Sequence, residues 1–390
     1  MVVAANFIAI AARMSLVTFI GIYFVRKSGI DIGTVGLAFL VESALRGIAA
    51  PRFGALSDRI GRRALLIAAA SATAVVLPCF LLVSGPASLF AWSVAMGITG
   101  AINMPVATAL LLDLAPPERR QSVLAVNYTG MSVAYTLGVM PAGYIAEQSY
   151  VALAAIASTG YVLVTILYAA ALRVSPTERR EAGMLTDTVS AFRDRAFLLF
   201  ASMAFVFPLS MGLLVTASPL FAADAGLGEG YIGLVLGGNS MIVALLALPL
   251  ATRIEPLGPF RLLGAAALVV AAALACFGAI PGPAAAYLIG TVVFSFGELV
   301  FSSAVPAAVA RLAPAGRRGA YQGAWTLVAS FSMGSALLVS SLLSDALGWR
   351  AAWLAYGALV FVLGLALICF RARLSSVSDS RNATRSAVSA

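Results

Sequence analysis

Four ionisable side chains fall inside long apolar stretches of this chain: Arg13, Glu42, Arg46 and Glu298. A charge inside an apolar span is costly unless it is paired or wetted, so residues of this kind mark proton relays and substrate sites. Glu42 and Arg46 are four residues apart and share a helix face, which allows them to pair. Arg13 and Glu42 each lie nine residues from the same end of neighbouring antiparallel spans, about 13 Å deep at about 1.5 Å of rise per residue. Arg13, Glu42 and Arg46 are therefore expected to form one cluster facing a central cavity. Desolvation favours the neutral form of Glu42 and the adjacent cations favour the charged form, so a proton or substrate site and a static salt bridge both fit. Around Glu298, the positions at helical spacing (294, 295, 301 and 302) are Phe, Ser, Phe and Ser. Burial among such groups disfavours a carboxylate, which makes Glu298 the first candidate for proton coupling. Cation recognition and a neutral structural acid are the other readings.

Polar and aromatic groups that could line a pore are Asn103, Asn127, Tyr128, Tyr135, Asn239, Gln322 and Trp325. Hydrogen bonds between helices would use the same side chains equally well. The sequence contains no histidine, and Cys79, Cys276 and Cys369 have neither metal-ligand nor disulfide spacing. There is no nucleophile elbow and no pair of catalytic aspartates, so neither an enzyme, a metal nor a cofactor is expected. A channel would need a selectivity ring, usually built by an oligomer, and nothing in the sequence suggests one.

The elements that must position these residues are legible from composition. Of 390 residues, 61% are hydrophobic and 11% charged, against about 25% charged in soluble domains. A net charge of +9 could suggest a nucleic-acid partner, but the arginines lie in loops between apolar runs and form no continuous stripe, so the bilayer is the expected partner. A bilayer core needs about 20 apolar residues per helix, and twelve such runs are present. They cover approximately 4–25, 33–51, 64–84, 88–112, 122–146, 149–172, 196–221, 230–252, 261–280, 284–310, 320–343 and 350–370. The first run has no charged segment before it and no cleavage pattern, and reads as a span rather than a leader.

If the N-terminus is inside, the cytoplasmic segments hold all Lys and Arg except Arg26, Lys27 and Arg350 outside and Arg13 and Arg46 within spans. The positive-inside rule then places both termini in the cytoplasm. The longest polar interruption, 173–195, separates six spans from six and is expected to be an interdomain linker, its second part a short amphipathic surface helix. The domains expected are 1–172, the linker 173–195, 196–374 and a disordered Ser-rich tail, 375–390. An internal repeat supports the division: Leu114-Ala-Pro-Pro-Glu-Arg119-Arg120 recurs 198 residues on as Leu312-Ala-Pro-Ala-Gly-Arg317-Arg318, each copy between the fourth and fifth spans of its half. Parallel repeats with a site between them are a transporter arrangement.

Between the second and third spans stands Gly54-Ala-Leu-Ser-Asp58-Arg59-Ile-Gly61-Arg62-Arg63. Its glycines would allow close helix approach and a tight turn. Asp58 could accept from the free amides that begin span eleven, near 319–322, and the arginines could hold Asp113 and lipid phosphates. Such contacts would latch the halves on the cytoplasmic side and favour an outward-open state. Setting topology alone would explain the arginines but not Gly54, Asp58 and Gly61.

This decapeptide resembles the signature between the second and third helices of the major facilitator superfamily, and the whole chain is most similar to its drug:proton antiporter branch. The segment Asp113-Leu-Ala-Pro-Pro-Glu-Arg119-Arg120 resembles that family's end of span four, where an acid pairs with arginines of the first motif. Gly130, Gly138, Pro141 and Gly143 are similar to the antiporter motif in span five, and Phe296-Gly297-Glu298 is similar to exporters with a glutamate in span ten. The resemblance implies an all-α membrane protein of twelve helices in two pseudo-symmetric six-helix bundles. It implies a monomer in a bacterial plasma membrane that exchanges protons for amphipathic small molecules by alternating access. The alternative is a proton-coupled symporter or facilitator importing a small polar nutrient.

Overall fold

The computed structural model describes residues 2–116, 119–171, 190–254, 257–314 and 317–389. Within them the chain is all helical, with twelve long helices that we number in chain order. They are α1 (Val2–Ile22, ending in a π turn, Tyr23–Lys27), α2 (Ile32–Ile60), α3 (Arg62–Val76), α4 (Pro86–Leu114), α5 (Arg120–Gln148) and α6 (Tyr150–Ala171). Then follow α7 (Arg195–Asp224), α8 (Glu229–Ile254), α9 (Pro259–Ala279), α10 (Pro283–Leu312), α11 (Arg318–Leu347) and α12 (Trp349–Ser389). Eleven of them are, among the described residues, long and apolar enough to cross a membrane.

Three helices depart from the simple runs expected. α3 tightens into a 3-10 turn at Leu77–Leu82, because Pro78 supplies no amide to the α ladder. α7 is broken at Phe205 and passes through a π turn at Leu213–Ala217, near Pro208 and Pro219, which each remove a backbone donor. Ser332 donates to the Phe205 carbonyl at the break, 2.6 Å away. α12 continues to Ser389, past the expected span end near 370 and through the segment expected to be disordered. No glycine or proline follows Gly364 to stop it. The expected linker lies almost entirely outside the described residues, which resume at Ser190.

The repeated Leu-Ala-Pro segment recurs in geometry as well as sequence. α4 and α10 end at Ala115 (φ −87, ψ 130) and Ala313 (φ −72, ψ 133). Arg119 and Arg317 precede α5 and α11 with φ −105 and −110, and donate their amides to Pro116 and Pro314 at 2.9 and 3.2 Å.

The chain divides into two compact units. The first comprises 1–181 with 214–244 and 334–341; the second comprises 182–213, 245–333 and 342–390. Small residues set helix spacing in both, as expected where apolar surface alone gives no drive to associate in lipid. In the first unit, a Cβ on Gly138 of α5 would stand 2.5 Å from the Ala11 carbonyl of α1, and one on Gly160 of α6 would stand 2.7 Å from the Ala12 side chain. In the second, a Cβ on Gly297 of α10 would stand 2.6 Å from the Val270 side chain of α9, and one on Gly364 of α12 would stand 2.7 Å from the Ala267 side chain. Phe277 stacks on Trp353 with ring centroids 4.6 Å apart.

Candidate functional site

The first unit gathers the charged cluster at mid-span. Arg13 of α1 donates to Glu42 of α2 at 2.7 Å, with each side chain 11% exposed. Arg46, one turn further along α2, lies 3.6 Å from the same carboxylate oxygen and donates to Ser43 at 3.1 Å; its side chain is 32% exposed. Two glycines of α4 make room for this group. A Cβ on Gly97 would meet the Glu42 carbonyl at 2.8 Å, and one on Gly100 would meet Arg13 Nη1 and Arg46 Cδ, both at 3.3 Å. Tyr161 of α6 places its hydroxyl beside Arg13. Spacing along α2 and depth along α1 were enough to bring the three charges together. Tyr161, Gly97 and Gly100 were missed, because their role depends on which helices are neighbours.

Glu298 lies midway along α10, in the second unit, and is half-buried. The pore-lining candidates divide. Asn103 donates to Thr73 at 3.0 Å, tying α4 to α3, and Asn127 accepts from Asn6 at 3.1 Å, with Tyr168 closing the group on Asn6 at 3.1 Å. Gln322 donates to the Pro306 carbonyl at 2.9 Å, and Trp325 is buried 5.7 Å from the Phe200 ring. These four satisfy helix–helix contacts. Asn239 is buried and Tyr135 half-buried; the Tyr128 side chain lies outside the described residues.

At one end of the first unit, the signature loop builds an ion network. Arg62 reaches Asp113 at 2.9 Å and Asp58 at 3.2 Å, with its own side chain 13% exposed. Arg63 donates to the Ala169 carbonyl at the end of α6, while Arg59 is exposed. Gly61 adopts φ 93, ψ 132, a conformation that side chains disfavour, so the turn into α3 requires glycine. Gly54 lies inside α2, and among the described residues nothing stands within 4 Å of where its Cβ would project, so the expected close approach is not seen there.

The opposite end of the first unit is closed by backbone contacts between early and late helices. A Cβ on Gly36 of α2 would meet the Leu338 backbone of α11 at 2.5 Å, and one on Gly334 of α11 would meet Ser43 at 2.5 Å. Gly143 of α5 abuts the Glu229 carbonyl of α8, and Gly233 lies 2.8 Å from the Val139 carbonyl by the same measure. Of the span-five motif, Gly138 and Gly143 thus serve close packing, a Cβ on Gly130 would meet nothing among the described residues, and Pro141 is exposed. Around this closure Tyr150 donates to Glu229 at 2.6 Å, Glu147 accepts from the Gly230 amide at 2.8 Å, and Arg26 pairs with Asp224 at 3.3 Å. Nothing in the sequence marked this network, since its members are far apart in the chain.

A polytopic helical protein with charges buried at mid-span and an ion network at the signature loop has the construction of a membrane transporter. The Major Facilitator Superfamily profile matches residues 2–284 and again 200–389, and the chain belongs to that family. It is 24% identical over 388 residues to the Na(+), Li(+), K(+)/H(+) antiporter of Planococcus maritimus, covering 89% of this chain and 87% of that protein. It is 25% identical over 239 residues to the multidrug resistance protein MdtG of Dickeya zeae (strain Ech586), covering 58% of each. The nucleoside transporter NupG shares the fold, with a TM-score of 0.81 at 12% identity over 94% of this chain and 97% of that one. The protein is thus a multi-pass membrane transporter with a small-molecule substrate, not an enzyme.

Proposed function

We propose that the protein is a proton-coupled exporter of amphipathic small molecules that works by alternating access. The observation that carries this reading is Glu298, a half-buried carboxyl at the middle of a membrane-length helix. A carboxyl so placed can take up and release a proton as its access to water changes. The relatives support exchange and export, one being a cation/H(+) antiporter and another a multidrug resistance protein.

In this reading the halves 1–172 and 196–374 are two pseudo-symmetric bundles with both termini in the cytoplasm of a bacterial cell. The monomer is the working unit. The Arg62–Asp58–Asp113 network is the cytoplasmic gate, in which Asp58 would meet the amides that begin α11 when that side closes. The contacts of α2 on α11 and of α5 on α8 support reading the opposite end as the outer gate, closed in this structure.

Accumulation of candidate compounds in cells, with and without an uncoupler, tests the proposal. Export predicts less accumulation in energised cells and a rise on uncoupling; a proton-coupled importer predicts the reverse.

A further inference from the structure

The buried charges of the first unit do not balance, and the imbalance points to the substrate. Arg13 and Glu42 form a close pair, each 11% exposed. Arg46 approaches the same carboxylate only to 3.6 Å, and 32% of its side chain is exposed. The other described acids of the first unit are Asp31, Asp58, Asp113, Glu147, Asp224 and Glu229. Asp31 caps the start of α2, Asp58 and Asp113 belong to the signature-loop network, Glu147 is at the end of α5, and Asp224 and Glu229 stand at the end of α7 and the start of α8. Among the described residues, mid-span of this unit therefore holds two guanidiniums against one carboxylate.

A guanidinium whose side chain is partly accessible halfway along an apolar span faces water or a ligand, because facing lipid would be costly. The Arg46 stem is held against α4 at Gly100, where a Cβ would stand 3.3 Å from Cδ. Its head is restrained by one hydroxyl, Ser43, at 3.1 Å. A planar fork with free donor capacity and an uncompensated charge suits a carboxylate or phosphate group, which it can grip through two parallel hydrogen bonds. Glu42 can remain on Arg13 while this happens.

We propose that Arg46 binds an acidic group of the substrate, so the compounds carried are amphipathic acids or zwitterions rather than simple organic cations. This inference rests on the transporter reading above and assigns the substrate class to it.

Thermal stabilisation of the purified full-length protein tests the proposal, using matched acids and methyl esters (1-naphthoate and 4-phenylbutyrate with their esters) and tetraphenylphosphonium as a cationic probe. At least one acid should bind at least about tenfold more tightly than its ester, the discrimination expected of a charge-assisted contact. Arg46→Gln should erase that difference, while Arg46→Lys should keep part of it, since the charge survives and the fork does not. The proposal is overturned if no acid is preferred over its ester, if tetraphenylphosphonium binds the wild type as tightly as the best acid, or if the acid preference survives Arg46→Gln. Uncoupler-sensitive transport is measured in parallel. Acid preference without proton dependence removes the proton-coupled reading and leaves Arg46 in place, and proton-driven transport without acid preference does the reverse.

Discussion

Arg13 donates to Glu42 across 2.7 Å between α1 and α2, and the 3.6 Å approach of Arg46 leaves that second arginine the looser partner of the same carboxylate. The geometry separates a structural pair from an available charge. Removing one member of a buried pair strands the other, at a cost of about 3–5 kcal/mol. Glu42→Ala should accordingly lower the melting temperature strongly in detergent, and Arg46→Gln should lower it much less. Equal losses in the two variants would contradict the division of roles.

Closure of the end opposite the signature loop depends on backbone contact at Gly36 and Gly143. Gly36→Val places side-chain atoms where the Leu338 backbone stands, an overpacking that typically costs about 1–3 kcal/mol. The variant should insert in the membrane but transport poorly. A Gly33→Cys/Ser341→Cys pair, which reports the same approach, should cross-link in the wild-type background and fail to do so with Gly36→Val. Undiminished cross-linking would show that α2 and α11 do not need glycine to meet.

The Arg62–Asp113 contact at 2.9 Å predicts coupling between the two positions. Arg62→Ala and Asp113→Ala should each reduce transport, and the double variant should be no worse than the poorer single one. Residues that share an ion pair typically couple by about 0.5–3 kcal/mol in a double-mutant cycle. Additive losses would mean the two residues act separately.

The helices were legible because membrane-length apolar runs need no knowledge of neighbours, and Arg13, Glu42 and Arg46 were legible because two simple rules, helical spacing and depth, applied to them. Asn103 and Asn127 were less so. Their partners, Thr73 and Asn6, sit on other helices, and a polar side chain in a span reads alike whether it lines a pore or ties two helices. The Glu147–Tyr150–Glu229 network escaped for the same reason, joining the end of α5 to the start of α8. The continuation of α12 to Ser389 was missed because composition registered the polar tail but not its lack of a helix breaker.

Proton movement through Glu298 is the central claim, and proteoliposomes with an imposed pH gradient test it most directly. The probe is the compound that most raises the melting temperature of the purified protein. Wild-type protein should move this compound against its concentration gradient when protons flow the other way, and Glu298→Gln should retain exchange of the compound but lose the response to the gradient. Gradient-driven accumulation by Glu298→Gln at the wild-type rate would contradict the account.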